Sequence, residues 1–201
     1  MYSRRTIWAV LSSVLVFQAH CANPPPPQTA CGFVQNSEGQ RVSWKKQLPI
    51  QLYLDASVPT QFYQAISSAI VTWEQSIGRK VFELAGTSTG TQPRQDSKSV
   101  LYWISTWDRT QMLQQANTTI YWVDTRISEA DIRINASLNF ETEKGYSSSI
   151  DIESLVLHEL GHVMGLKHID NVPSVMAKSL SNDTQRRVLF STDVNDIKCE
   201  Y

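Results

Sequence analysis

The sequence predicts an α+β domain in which a twisted sheet packs against two or three helices. Two observations indicate this class: short runs of β-branched and aromatic residues recur along the chain, and patterns with helical spacing lie between them. The 201 residues include 41% hydrophobic side chains, enough for one domain with a sizeable core. The predicted strands are Val42–Trp44, Ile50–Leu54, Val81–Leu84, Val100–Ile104, Thr119–Val123 and Ala130–Asn135.

Two helices are predicted within this framework. The first begins near Ser57 and Pro59 and ends at Gly78, and its apolar stripe is interpreted as core packing. The second runs from about Asp151 to Met164. Asp151 can accept hydrogen bonds from the free N–H groups of the first turn and complements the helix dipole. The polar segment 86–97 is predicted to be a surface loop.

The second helix carries the pattern H-E-x-x-H-x-x-G-x-x-H, formed by His158, Glu159, His162, Gly165 and His168. An offset of four residues is about 6 Å of helical rise, so the first two imidazoles share a face and can bind one zinc ion. Gly165 adopts positive φ without a Cβ penalty, which lets the chain turn so that His168 completes a three-His site. Glu159 lies off that face, placed to take a proton from a zinc-bound water.

Two simpler interpretations of this pattern are a helix with incidental histidines and a structural zinc site. Five fixed positions would occur by chance on the order of once in ten million starts, and three of the four histidines of the chain lie here. A structural zinc site is usually closed by four protein ligands, often cysteines, and no cysteine lies nearby in the sequence. The pattern therefore favours a catalytic zinc site with an open fourth position.

The elongated motif, followed by Ser174-Val175-Met176, resembles that of metzincin zinc peptidases, with Met176 in the place of the Met-turn methionine. The eight-residue spacing between His168 and Met176, and Pro173 before the turn, are similar to the matrixin branch, the relatives of the matrix metalloproteinases. Asp151 matches the residue that often opens their active-site helix. The tail 190–201 resembles their C-terminal helix. The similarity is dense over 151–201 and looser over 31–150.

This resemblance implies a metzincin-like zincin domain: a twisted, mostly parallel sheet packed on an N-terminal helix and the active-site helix, with a Met-turn and a C-terminal helix. It implies a zinc-dependent endopeptidase in which Met176 forms an apolar floor. The turn 174–180 should form a wall of the pocket for the residue just after the scissile bond. Substrate should bind in an extended conformation along a strand edge. That edge is expected within 136–149.

The sequence also departs from the matrix metalloproteinases. These proteins hold a second, structural zinc with additional histidines, and the predicted mature chain has no spare histidine, so that site should be absent. Glu141 and Glu143 could bind calcium, but they lack the spacing of the family, and a solvated loop is the simpler interpretation. One zinc ion is thus the cofactor that the sequence supports, and calcium is not.

Three segments are predicted along the chain. Residues 1–22 read as a signal peptide, with Arg4 and Arg5 before an apolar run that is too short to span a membrane. A lipoprotein signal with lipid on Cys21 is the alternative, although the three residues before this cysteine match such a signal poorly. Residues 23–30 form a proline-rich spacer, and 31–201 form the catalytic domain. The protein is therefore expected to be secreted or held at the cell envelope.

Cys31 and Cys199 lie near opposite ends of the predicted domain, and a disulfide between them is favoured in an oxidising compartment. The resemblance offers a rival, because a propeptide cysteine blocks the zinc in matrix metalloproteinases. Only Cys31-Gly32 of that propeptide motif is present here.

The expected partner is a protein or peptide substrate, and the enzyme is expected to be a monomer. A formal net charge of −1 gives no indication of nucleic-acid binding, and contact with a membrane is expected only through the alternative lipid anchor. Two other functions remain open: a catalytically inactive zinc-binding adhesion or inhibitor module, against which the intact Glu159 argues, and a zinc hydrolase of a non-protein amide such as cell-wall material.

The first prediction concerns processing. The mature chain should begin near residues 20–23, because the basic and apolar start is followed directly by prolines. N-terminal sequencing of the exported protein measures this. A lipid on Cys21 would identify the anchored form, whereas an uncleaved cytosolic product would contradict both forms.

Overall fold

The computed structural model describes residues 26–90, 92–143 and 148–201. The predicted signal peptide lies outside the described residues, and the proline-rich spacer is described only from Pro26. Residues 26–30 form neither helix nor strand, and the Gln28 N–H donates to the Gly39 carbonyl at 2.9 Å. The division into signal, spacer and domain stays a prediction.

The main sheet has five strands in the spatial order β2-β1-β3-β5-β4. Neighbours among β2, β1, β3 and β5 pair in parallel, and β4 pairs antiparallel to β5 at one edge. The predicted mostly parallel sheet is confirmed. Two short strands form a separate parallel pair. The bounds are β1 Ile50–Asp55, β2 Phe82–Ser88, β3 Ser99–Ile104, β4 Ala116–Val123, β5 Arg126–Asn135, β6 Phe140–Glu141 and β7 Ile150–Asp151.

The described residues also form three α-helices: α1 Tyr63–Ile77, α2 Ile152–Val163 and α3 Ser191–Ile197. The predicted stripe of α1 is buried, and the helix ends at Gly78 with a left-handed φ of 80°. Helix α1 packs against α2, and the Trp73 indole N–H donates to the Leu157 carbonyl at 2.9 Å. No described helix combines the length and the apolar composition that crossing a membrane requires.

Two predicted elements differ from the structure. Val42–Trp44 does not form a strand. The backbone of this segment makes only an isolated bridge, between Ser43 and Arg126, rather than a continuous ladder with a neighbouring strand. Strand β2 continues through Gly86 to Ser88, so the loop predicted from Gly86 begins later. Gly86 has a φ of 122° and lies where the β1–β2 register shifts, so this glycine marks a bulge within the strand rather than its end.

Both ends of the described chain are fastened to the same region of the domain. Cys31 and Cys199 form a disulfide with their Cα atoms 6.3 Å apart, so Cys31 is not a ligand of the histidine site here. Beside it, Glu200 accepts salt bridges from Arg41 at 2.9 Å and Lys45 at 2.8 Å. The predicted disulfide is therefore present.

The second prediction concerns this disulfide. Peptides from the non-reduced protein should contain Cys31 linked to Cys199 by mass spectrometry. Cys31→Ser should lower the free energy of unfolding by up to about 4–5 kcal/mol, because a bond closing so long a loop restricts the unfolded chain. Urea denaturation measures this. Cys199→Ser should give the same loss, and the double variant no further loss. Two free thiols in the exported protein would contradict the pairing.

Candidate metal and catalytic site

Helix α2 carries two of the three predicted metal ligands on one face. The Nε2 atoms of His158 and His162 lie 3.0 Å apart. Asp151 directly precedes the helix; its carboxylate accepts the Ser154 N–H at 2.8 Å and also pairs with the Arg187 guanidinium. Asp151 therefore caps the helix, as predicted, and its negative charge is balanced by an arginine that the sequence pattern did not reveal.

His168 reaches the same point after a turn at Gly165. This glycine has a φ of 102°, and a Cβ there would collide with the Val42 carbonyl oxygen, so only glycine fits. Val34 N–H donates to the Gly165 carbonyl, and Lys167 N–H donates to the Gly32 carbonyl, both at 2.8 Å. The N-terminal segment thus holds the turn in place. The His168 Nε2 atom lies 3.2 Å from that of His162.

Backbone carbonyls set the protonation of the two helical histidines. His158 Nδ1 lies 2.7 Å from the Val175 carbonyl, and His162 Nδ1 lies 2.7 Å from the Leu166 carbonyl. A carbonyl only accepts, so each Nδ1 carries the proton and each Nε2 presents a lone pair. Burial lowers the pKa of His158 to about 3, helped by the nearby His162, and burial lowers the pKa of His162 to about 4. Both rings are therefore neutral near pH 7.

The donor set fits zinc. Tetrahedral zinc with Zn–N bonds of about 2.0–2.1 Å separates its nitrogen ligands by about 3.3 Å, close to the observed 3.0 and 3.2 Å. In the part of the chain that the structure describes, these histidines are the one group of three or more potential ligands with atoms within 4.8 Å of one another. Glu141 and Glu143 belong to no such group there, and calcium binding stays untested.

Glu159 is buried beside the histidines, with 4% of its surface exposed. Thr118 on β4 donates its hydroxyl to Glu159 Oε2 at 2.5 Å. Burial raises the pKa of Glu159 to about 7, and the bond from Thr118 opposes that rise. Sequence reasoning missed Thr118, which precedes the predicted strand Thr119–Val123, because a threonine beside a β-branched run indicates at most a strand and not a partner on another element.

The turn after the histidines lies against α2. Val175, Met176 and Ser174 are buried, and Asp193 of α3 accepts hydrogen bonds from the Ser174 hydroxyl and, at 3.0 Å, from the Val175 N–H. A Cβ on Gly161 would lie 3.0 Å from Met176 Cε. Gly161 therefore lets Met176 approach the helix between the two ligand histidines. Asp193, by holding the Val175 N–H, fixes the residue whose carbonyl orients His158.

Two cavities flank Glu159. One, of about 260 Å³, lies between α2, the 175–180 turn and the start of β4, and the other, of about 300 Å³, lies beside Thr118 and His162. The strand edge beside the histidines is β4, so the expected edge within 136–149 is wrong. Strand β5 pairs with β3 on one side and β4 on the other, and the chain leaves the main sheet after Asn135. The edge strand is therefore β4, which the β4–β5 hairpin places outside β5.

A mostly parallel sheet, a helix that carries two histidines, a third histidine after a glycine turn and a buried methionine packed against that helix together define the metzincin class of zinc peptidases. The sequence profile of the matrixin family matches residues 50–201, well over half of the chain. The chain belongs to the matrixin family. Metalloendoproteinase 1 of Glycine max is 32% identical over 60 residues, which cover 30% of this chain and 20% of that protein.

The third prediction tests Thr118. Thr118→Val removes the hydroxyl that holds the Glu159 carboxylate, so cleavage of an unfolded protein should fall about tenfold while zinc content stays unchanged. Activity assays with metal analysis measure both. The matched control is Thr119→Val, because the next strand residue faces the opposite side of the sheet. Full activity in Thr118→Val, or loss of zinc, would contradict the role assigned to this hydroxyl.

Proposed function

We propose that this protein is a secreted or envelope-anchored zinc-dependent endopeptidase that hydrolyses peptide bonds of proteins. The observation that carries the proposal is the buried Glu159 carboxylate beside three converging imidazole nitrogens. Membership of the matrixin family supports the same chemistry. Export is supported by the basic and apolar start of the sequence and by the disulfide, which suits an oxidising compartment.

His158, His162 and His168 would hold the zinc ion through their Nε2 atoms. When bound, zinc supplies a water whose pKa falls toward about 7 and polarises the substrate carbonyl. The protein contributes the orientation: Val175 and Leu166 hold two of the rings by their Nδ1 protons, so the ligand nitrogens stay deprotonated and aimed at one point.

Glu159 acts as the proton carrier. Its carboxylate takes a proton from the attacking water and delivers it to the leaving amine as the peptide bond breaks. A general base works best with a pKa near the operating pH, and burial raises the pKa of this group to about 7. Thr118 holds the carboxylate in place by a hydrogen bond.

The substrate would lie extended along β4. An edge strand offers unpaired N–H and C=O groups that a peptide can complete as an additional strand. Strand β4 pairs with β5 on one side, and its residues line both cavities that flank Glu159. A single chain supplies all the proposed site residues, which agrees with a monomeric enzyme.

The fourth prediction separates the proposed roles. Glu159→Ala should keep zinc and the fold but lose about 10²–10⁴ in cleavage rate, because it removes the general base. His162→Ala should instead lose zinc itself, because it removes one of three ligands. Cleavage of unfolded protein, zinc content and circular dichroism measure the three properties. A chelator should silence the wild type, and added zinc should restore it.

The same assay tests the two alternative functions. A zinc-loaded, correctly processed wild type that cleaves no protein would favour a binding module, or a hydrolase of another amide if peptidoglycan is cleaved instead. Full activity of Glu159→Ala would contradict the role of this carboxylate.

A further inference from the structure

We propose that the 260 Å³ cavity selects substrates with glutamate just after the scissile bond, and that Arg186 is the residue that sets this preference. The inference rests on the proposed peptidase function. It concerns the cavity between α2, the 175–180 turn and the start of β4, which opens beside His158 and Glu159. A cavity of this size suits one side chain rather than a larger ligand.

The walls of the cavity are mostly apolar. Leu155 on α2, Leu180 after the turn and Leu113 before β4 all line it, together with Val175. The cavity follows α2 from His158 back to Ser154, which is one helical turn or about 6 Å. A side chain that enters beside the histidines therefore passes apolar walls before it reaches the Ser154 end.

The backbone of Arg186 lies at that end, and the residue lines the cavity. Its backbone N–H donates to the Ser154 hydroxyl at 2.6 Å, and its guanidinium donates to the Ser174 carbonyl at 3.3 Å and the Ser179 carbonyl at 2.8 Å. These acceptors are uncharged, so the positive charge of the guanidinium is not neutralised by them. A guanidinium has five N–H donors, so three remain after these two side-chain bonds.

Among the residues that the structure describes, no carboxylate pairs with the positive charges of this cavity. Lys178 also lines it, and within the described residues neither Lys178 nor Arg186 lies within 4.0 Å of an acidic group. The adjacent Arg187 shows the contrast, because it pairs with Asp151 and Glu153. The one acidic residue among the described lining residues is Glu159, which lies at the histidine end.

Glutamate is the side chain that matches this arrangement. Its methylene groups can pack against the apolar walls, and its carboxylate can reach the free N–H groups of Arg186 in a charge-assisted pair. Glutamine has the same shape without the charge, aspartate is shorter by one methylene, and lysine would meet two positive charges. The substrate class is therefore protein or peptide chain with glutamate at this position.

The fifth prediction follows from that comparison. The test uses peptides that differ only in having Glu, Gln, Leu or Lys directly after the scissile bond. The kcat/KM for the Glu peptide should be about tenfold higher than that for the Gln peptide. Lys should be the poorest. The Glu preference should shrink as salt is raised, because screening weakens the charge interaction. Equal or better cleavage of the Gln and Leu peptides would overturn the inference and leave the peptidase function standing.

Variants assign the preference to Arg186. Arg186→Gln should reduce the Glu-to-Gln ratio to within about twofold, whereas Arg186→Lys, which keeps the charge, should retain part of the preference. Lys178→Gln should have a smaller effect, since that side chain is exposed. Arg79→Gln, which removes an exposed arginine beyond the end of α1, is the matched control and should leave the ratio unchanged. A full Glu preference in folded Arg186→Gln would contradict the assignment.

Binding provides a readout that does not need turnover. Zinc-loaded Glu159→Ala should bind the Glu peptide about tenfold more tightly than the Gln peptide by fluorescence anisotropy. Equal affinities there would overturn the inference even if the wild type cleaves neither peptide. A Glu preference in binding, with no cleavage of any protein by the wild type, would support the cavity's selectivity and reject the proposed peptidase function.

Discussion

The convergence of three imidazole nitrogens on one point is the constraint on which the rest of the site depends. The Nε2 atom of His162 lies 3.0 Å from that of His158 and 3.2 Å from that of His168. The Nε2 lone pairs of His158 and His162 face inward. Such an arrangement is unfavourable without a cation, so it persists only because other groups fix the rings of His158 and His162. The fixing groups are carbonyls of the two turns that follow α2, which makes those turns part of the site.

Support for these turns comes from both ends of the chain. Asp193 of α3 holds the Val175 N–H, and the 32–34 segment pairs with 165–167 around the Gly165 turn. The disulfide between Cys31 and Cys199 joins these two supports, since one cysteine precedes the N-terminal segment and the other follows α3. The bond therefore stabilises more than the chain ends, because it links the elements that orient His158 and His168.

The local part of the site could be predicted from the sequence, and the non-local part could not. The spacing of His158 and His162 follows the helical period, and Gly165 explains how His168 returns, so the ligand set is encoded within eleven residues. Thr118 and Asp193 act across long separations, through strand order and helix docking that no local pattern reveals. The strand edge beside the histidines differs from the segment 136–149 that the family resemblance implied, because strand order depends on long-range pairing that no local pattern reveals.

One turn serves both the proposed ligand geometry and the proposed selectivity. The Val175 carbonyl orients His158, while the carbonyls of Ser174 and Ser179 hold the Arg186 guanidinium. Replacing Arg186 therefore removes a charge and two supports of the turn at once, and His158 is coupled to the loss through Val175. Lys178 lies on the same turn, but its exposed side chain forms no hydrogen bond or ion pair with the described residues. Burial lowers the pKa of His168, and the positive charge of Lys178 contributes to that shift. A change at position 178 therefore alters the charge near one ligand histidine but leaves the hydrogen bonds of the turn in place, whereas a change at 186 removes two of those bonds as well.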